Sequence, residues 1–322
     1  MAERSVFITG AAGFIGSHVS VALLRQGFRV VGIDNFNDYY SPERKRQNLV
    51  EIAAEAPGHT LELIEGDLRD RELTRRLFSE NRFDAVVHLA AMAGVRASVE
   101  NPALYLDVNL NGTLGLLELA REFGRPNFVF ASTSSAYGQS KAMPWVETDP
   151  ADRPLAPYPA SKRSAELMGH AYHHLHGLDF TALRFFTVYG PRGRPDMMNY
   201  KIMDSMKRGT RIELYDGGRL KRDWTFVGDI VAGVCAAVER RLGYEIINLG
   251  RGEPVLVSEF LAELERCSGK KANTVDKPMP KADVDATFAD ISKARRLLGY
   301  EPKVSVAEGV RRSYEWFEAA VG

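Results

Sequence analysis

The sequence predicts an α/β fold: a doubly wound parallel sheet with helices on both faces, followed by a smaller C-terminal α/β lobe. Three observations carry this. Short β-rich runs alternate with helical stretches through the first half. Strands such as Val30-Val31-Gly32-Ile33 are apolar at consecutive positions, which implies burial on both sides. The texture changes after Thr187, where Gly, Pro and Arg crowd together. Strand and helix in alternation imply right-handed βαβ units and a parallel sheet.

In order, strands are expected at Val6–Thr9, Phe28–Ile33, Leu61–Glu65, Ala85–Leu89 and Phe128–Ala131. Between them Gly16–Gln26, Asp70–Glu80 and Ala103–Phe123 carry apolar residues at helical spacing. A helix from Tyr158 to about His176 and a strand Phe180–Phe185 follow. Gly190–Asp196 reads as irregular, as do the segments from there to Asp223. Asp229–Arg240 reads as helix, Glu245–Leu249 as strand, and Ser258–Ser268 and Ile291–Ala320 as helical apart from turns. The expected division is 1–186, with part of 226–252 returning to it, and mainly 187–322.

At 322 residues, 45% hydrophobic and 26% charged, the composition is that of a globular protein. Lys and Arg balance Asp and Glu, 42 against 42, so no net field draws the chain to nucleic acid or anionic lipid. Cys235 and Cys267 form no CxxC pair, which argues against a zinc ribbon or a disulfide framework. The first strand begins near Met1, and no apolar run approaches the roughly 20 residues of a membrane span. A cytoplasmic protein without membrane or nucleic-acid partners is expected. His170 and His174, in a cluster with His173 and His176, have metal-ligand spacing. They lack a Glu-partnered motif, so no metal is expected.

Gly10, Gly13 and Gly16 lie between the first strand and the first helix. In the Rossmann-type arrangement such glycines allow a tight turn, close approach of backbone to a pyrophosphate, and helix–strand packing. The N–H groups where Phe14 and Ile15 open the helix would face that pyrophosphate. Asp34, 18 residues past Gly16, sits where an acid binds the adenosine ribose hydroxyls and repels a 2′-phosphate, so NAD is expected rather than NADP. Asn35 adjoins it, Asp67-Leu68 falls near the adenine, and Leu89-Ala90-Ala91 keeps small side chains where the cofactor crosses.

Tyr158 and Lys162 stand at i and i+4 on one helix face. A free phenol has a pKa near 10, and a neighbouring ammonium favours its phenolate, as would an oxidised nicotinamide. Ser132-Thr133-Ser134-Ser135 ends a strand at the sheet edge where open α/β sheets bind ligands. Thr133 is the hydroxyl expected to share the substrate proton with Tyr158. Together these residues describe hydride transfer with tyrosine as the base.

Over nearly its whole length the chain resembles the extended short-chain dehydrogenase/reductases that modify nucleotide sugars. The carriers are Gly10–Gly16, Asp34-Asn35, His88–Ala91, Asn109 with Asn111-Gly112-Thr113, Ser132–Gly138, Tyr158–Lys162, Arg184–Gly190 and Arg222–Trp224. Within that family it looks most like the UDP-glucuronate 4-epimerases, on Asp34–Tyr40, Ala93–Arg96 and Thr187–Met197. The resemblance places Asn109 at the cofactor and implies an NAD that stays bound and is regenerated each cycle. It implies a UDP-sugar substrate and a homodimer built on the helices 103–123 and 158–176. Its dehydratases carry Thr-Asp-Glu and its decarboxylases Thr-Ser-Glu where this chain has Thr133-Ser134-Ser135, which lacks a carboxylate.

The implied reaction removes the 4″-hydroxyl proton and the C4″ hydride. The 4-keto sugar then turns over about its diphosphate link, and hydride returns to its other face. A uronic acid then becomes a β-keto acid, prone to lose CO₂, and bidentate Arg is the natural clamp for its carboxylate. Arg194 is the expected clamp, with hydroxyls from Thr133, Ser134, Ser135 and Thr187. The resemblance assigns Arg222 to the diphosphate, Tyr215 to stacking on uracil, Arg96 to phosphate or ribose, and Asp283 to the uridine ribose. The chain departs from the family pattern at Met92, Pro157, Pro159, Arg192 and Pro278–Asp283. The alternatives are a UDP-glucose 4-epimerase, a UDP-glucuronate decarboxylase and, more remotely, a non-catalytic NAD-binding regulator.

Overall fold

The seven apolar runs expected as strands all pair in parallel, in a computed structural model that describes residues 4–280 and 283–321. They are β1 (Ser5–Thr9), β2 (Arg29–Asp34), β3 (Leu61–Glu65), β4 (Ala85–His88), β5 (Asn127–Thr133), β6 (Phe180–Phe185) and β7 (Tyr244–Leu249). Their spatial order is β3-β2-β1-β4-β5-β6-β7. The order reverses between β1 and β4, and a crevice opens there beyond the strands' C-terminal ends.

Helices α1 (Phe14–Arg25) and α2 (Pro42–Glu55) lie on one face together with Val227–Val238. The other face is covered by α3 (Arg71–Glu80), α4 (Gly112–Glu122) and α5 (Pro157–His176). Leu77, Phe78, Leu116, Leu117, Ala165 and Tyr172 pack there against Phe128, Phe130 and Phe180 of the sheet. The core under α1 continues into the later segments, where Trp224 stacks on Phe260 with centroids 3.9 Å apart and Phe317 is fully buried.

Three parts differ from expectation. Helix α2 was not expected, because its buried residues are Lys45, Asn48 and Ile52, a face on which polar side chains replace the usual apolar ones. Ala103–Phe123 is not one helix. The turn Pro102–Leu106 and α4 are joined by a π-helical turn, Asp107–Asn111, of the kind often found at functional sites. The region expected to be irregular holds a helix, Met198–Arg208, and a strand, Arg211–Tyr215, which pairs with Asn273–Lys277.

The prolines at 157 and 159 fit their places. Pro157 opens α5, where backbone N–H groups have no intrahelical partner to lose. Lys281 and Ala282 of the departing stretch lie outside the described residues.

On α1, the His18 Nε2 donates to the Pro191 carbonyl at 2.9 Å. Burial, then the Arg192 guanidinium, lowers the ring from 6.5 to about 4. The native state therefore stays neutral where the unfolded chain takes up a proton. Stability contributed here is complete above about pH 6.5 and lost as pH falls towards about 4. His18→Phe is expected to flatten the pH dependence of the denaturation midpoint across that window, at a lower stability overall. An unflattened curve would assign the acid sensitivity to other groups.

Candidate active site

The turn Gly10–Gly16 leads β1 into α1 with no side chain capping the helix. A Cβ on Gly16 would lie 1.9 Å from the Gly10 carbonyl oxygen, so only glycine lets α1 start this close to the strand. The first N–H groups of α1 consequently face the crevice as an anion cradle.

One cleft runs from this turn across the sheet edge. Of the expected cofactor residues, Gly10, Phe14, Ile15, Gly16, Asp34, Asn35, Asp67, Leu68, Leu89, Ala90, Ala91, Tyr158 and Lys162 line it. Gly13 and Asn109 do not. Gly13 caps α1, and its N–H bonds to the Gly10 carbonyl at 3.0 Å. Asn109, at the π-turn, instead holds the loop after β4. Its Oδ1 accepts from the Met92 N–H at 2.8 Å, and its Nδ2 donates to the Met92 carbonyl at 2.9 Å and to the Ser161 hydroxyl at 3.0 Å. Asn109 thus holds the Met92 backbone, while the Met92 sulfur accepts from Asn37 Nδ2 at 3.8 Å.

At the far end, Asp34 accepts from the Phe36 N–H at 3.0 Å and pairs with the buried ammonium of Lys45 at 3.4 Å. Lys45 was not expected as a site residue. Its signal is hidden in the polar helix α2. Asn35 Nδ2 donates to Asp67 at 3.0 Å, and Arg69, hydrogen-bonded to Asp67, lowers that carboxyl to about 2. A glycine-walled cradle, an uncapped helix start and a carboxylate at the end of β2 fit a dinucleotide.

Tyr158 stands in the first turn of α5 and Lys162 one turn later, both on the cleft. The Thr133 hydroxyl, at the end of β5, is near enough to the Tyr158 phenol to favour its ionised form. Burial pushes that phenol up, and the charge that pulls it back is Arg194, followed by the Thr133 hydroxyl. Burial takes Lys162 itself down to about 7, opposed by Glu166. Glu166, fully buried one turn beyond, accepts from Arg184 Nε at 2.9 Å, Arg184 Nη2 at 2.8 Å, Arg163 at 3.0 Å and the Ser132 hydroxyl at 2.5 Å. Neither Glu166 nor its bidentate partner Arg184 was read as part of the site, although i+4 from Lys162 is the spacing that could have shown it.

Arg194 also lines the cleft, but its fork is not free as expected. Its Nε and Nη2 donate to Asp196 Oδ1 and Oδ2, both at 2.9 Å. Ser134 and Ser135 begin the 3₁₀ turn after Thr133, whose Oγ1 accepts from the Ser135 N–H at 3.1 Å. Thr187 starts a short strand after β6, its N–H on the Asp223 carbonyl at 3.0 Å. The other expected substrate residues meet in one cluster. Asp283 pairs with Arg222 at 2.6 Å and with Arg96 at 3.3 Å, and Arg96 donates to the Tyr215 hydroxyl at 3.0 Å while lying over its ring. Arg192 is turned away into a buried pairing with Glu51 and Glu55 of α2.

The sequence profile of the GDP-mannose 4,6 dehydratase family matches residues 7–313. The chain belongs to this family. A UDP-glucuronate 4-epimerase of Thermodesulfobacterium geofontis is 44% identical over 311 residues, 96% of this chain and 94% of the relative. The crystal structure of the Bacillus cereus UDP-glucuronic acid 4-epimerase in complex with UDP-glucuronic acid and NAD superposes with a TM-score of 0.89 at 34% identity, covering 98% of this chain and 99% of that one. The UDP-glucose 4-epimerase of Thermotoga maritima with UDP-glucose gives 0.89 at 33%, covering 99% and 100%. The resemblance to the nucleotide-sugar epimerase branch of the extended short-chain dehydrogenase/reductases therefore holds. In this family member the carboxylates lining the cleft, among the described residues, are Asp34 and Asp67, both at the ends of β2 and β3.

Proposed function

We propose that the chain is an NAD-dependent 4-epimerase that interconverts UDP-glucuronic acid and UDP-galacturonic acid through a 4-keto intermediate, without decarboxylation. The observation that carries this reading is the meeting of Tyr158, Lys162 and Arg194 on one cleft, beside Thr133, where the carboxylate nearest Arg194 is Asp196, already engaged by that guanidinium, and the lining carboxylates Asp34 and Asp67 stand at the ends of β2 and β3. Dehydration needs an acid–base pair that Ser134 and Ser135 do not supply. NAD, when bound along the glycine turn, Asp34, Asn35, Asp67 and Leu68, supplies the hydride acceptor and donor. Tyr158 takes the 4″-hydroxyl proton and returns it after the sugar has turned, while Thr133 shares that proton and fixes the hydroxyl's direction. The ammonium of Lys162 stabilises the phenolate side of this exchange. Arg194, with the hydroxyls of Ser134, Ser135 and Thr187, faces the C5 carboxylate.

The division of labour follows the chain: 1–186, with the returning part of 226–252, for NAD, and mainly 187–322 for the UDP-sugar. In the Arg96–Tyr215–Arg222–Asp283 cluster, Arg222 serves the diphosphate, Tyr215 the uracil, and Arg96 and Asp283 the phosphate and ribose. The solvent-facing Leu106 of the 103–123 region and Leu167 and Leu175 of α5, the last 69% exposed, support a homodimer through these helices. Both cysteines are free thiols, which agrees with a cytoplasmic setting. No helix among the described residues is long and apolar enough to cross a membrane.

The test is proton NMR of the purified protein with UDP-glucuronic acid and no added NAD. A new anomeric signal with galacto coupling and no CO₂ is expected, with NAD carried through purification. A pentose nucleotide would make the enzyme a decarboxylase. An unchanged spectrum after adding NAD would direct the search to UDP-glucose and then to a regulator.

A further inference from the structure

The Arg194 guanidinium has two edges, and the protein uses one. Nε and Nη2 hold Asp196 in a bidentate pair at 2.9 Å each. Nη1 has no protein partner among the described residues, and the side chain lines the cleft beside Tyr158. Asp196 is itself held. The Tyr39 hydroxyl donates to Asp196 Oδ2 at 3.2 Å, and Tyr105, whose hydroxyl donates to the Ala93 carbonyl at 2.7 Å, meets the Tyr158 ring edge-on at 6.3 Å. Tyr39 belongs to the loop after β2, along with Asn35 and Asn37, which line the cofactor end of the cleft. A Cβ on Gly94 would stand 2.5 Å from the Tyr39 hydroxyl, so a side chain there would displace that group. The relay Tyr39–Asp196–Arg194 is therefore built in from two separate segments.

We infer that Asp196, held by Tyr39, is a positioning residue that sets the orientation of Arg194 and thereby decides whether the 4-keto intermediate is reduced or decarboxylated. This rests on the functional reading above. An Arg whose Nε–Nη2 edge is taken can offer a substrate carboxylate only the end of its fork, the Nη1 hydrogens and the second Nη2 hydrogen, so that carboxylate is fixed in one plane. Held out of line with the carbonyl π system, the C5–carboxylate bond stays intact. Released from that plane, the bond breaks: its electron pair forms the enolate across C4 and C5, CO₂ leaves, and C5 takes a proton from solvent. The same pairing also means that a uronate meets an Arg already half neutralised, so orientation rather than raw attraction is what the pair provides.

The experiment measures, for wild type, Asp196→Asn and Tyr39→Phe, the ratio of ¹³CO₂ released from carboxyl-labelled UDP-glucuronic acid to UDP-galacturonic acid formed. In Asp196→Asn the ratio is expected to rise about ten-fold or more, since small misplacements of a clamped group have effects of that order. In Tyr39→Phe a rise of about three-fold is expected, the weight of one hydrogen bond. A merely structural role would lower both products together and leave the ratio unmoved. An unchanged ratio in either folded variant overturns the inference. A wild type that forms no UDP-galacturonic acid overturns the functional reading, and this one with it.

Discussion

Replacing Tyr158 by Phe is expected to lower epimerisation about a thousand-fold, within the span that a positioned acid–base group supplies. The substitution is narrow. The Phe ring keeps the edge contact with Tyr105, at 6.3 Å between centroids, and loses only the hydroxyl. The NAD content of the purified protein, read by absorbance after denaturation, should stay at the wild-type level because the glycine turn and Asp34 are untouched. Turnover close to wild type would remove Tyr158 from the role of base. Loss of NAD together with turnover would mean that the phenol chiefly holds the cofactor.

Glu166→Gln is expected to be the most damaging single change away from the reacting atoms. Glu166 and Arg184 are both fully buried and joined by two hydrogen bonds of 2.9 and 2.8 Å. Removing one charge leaves the other uncompensated in the interior, which costs about 3–5 kcal/mol. The denaturant midpoint should fall with little change in slope. The variant also changes Lys162. Burial depresses this ammonium from 10.5 to about 7, and Glu166 opposes that depression. A lysine depressed in the folded state penalises folding while both states hold the proton, below about pH 7. The penalty is relieved as pH rises towards 10.5, because the folded state sheds its proton first. In Glu166→Gln the rise in stability should begin at a lower pH, and Lys162→Met should abolish it. A rise that starts at the same pH in Glu166→Gln would show that Glu166 does not support the Lys162 charge.

Much of this was legible in the chain. Seven strands, the glycine turn and the Tyr158–Lys162 spacing all depend on residues a few positions apart, so each leaves a local pattern. Helix α2 escaped because its inward face carries Lys45 and Asn48, which hydrophobic periodicity does not register. The break at Asp107–Asn111 escaped because a π-turn adds one residue to the helical ladder without changing composition.

The sequence by itself determined the sheet, the glycine turn and the placing of Tyr158 and Lys162 one helical turn apart, since local propensity and short-range spacing specify them. Only the tertiary structure decided which charges pair. Among 42 basic and 42 acidic residues, nothing local says that Asp283 joins Arg222 to Arg96, 187 residues away, or that Lys45 settles against Asp34. Even Asp196, two residues from Arg194, is chosen only once Tyr39 arrives from another loop. The reason is physical: an ion pair acquires its strength from the burial and geometry of both groups, and folding alone supplies these.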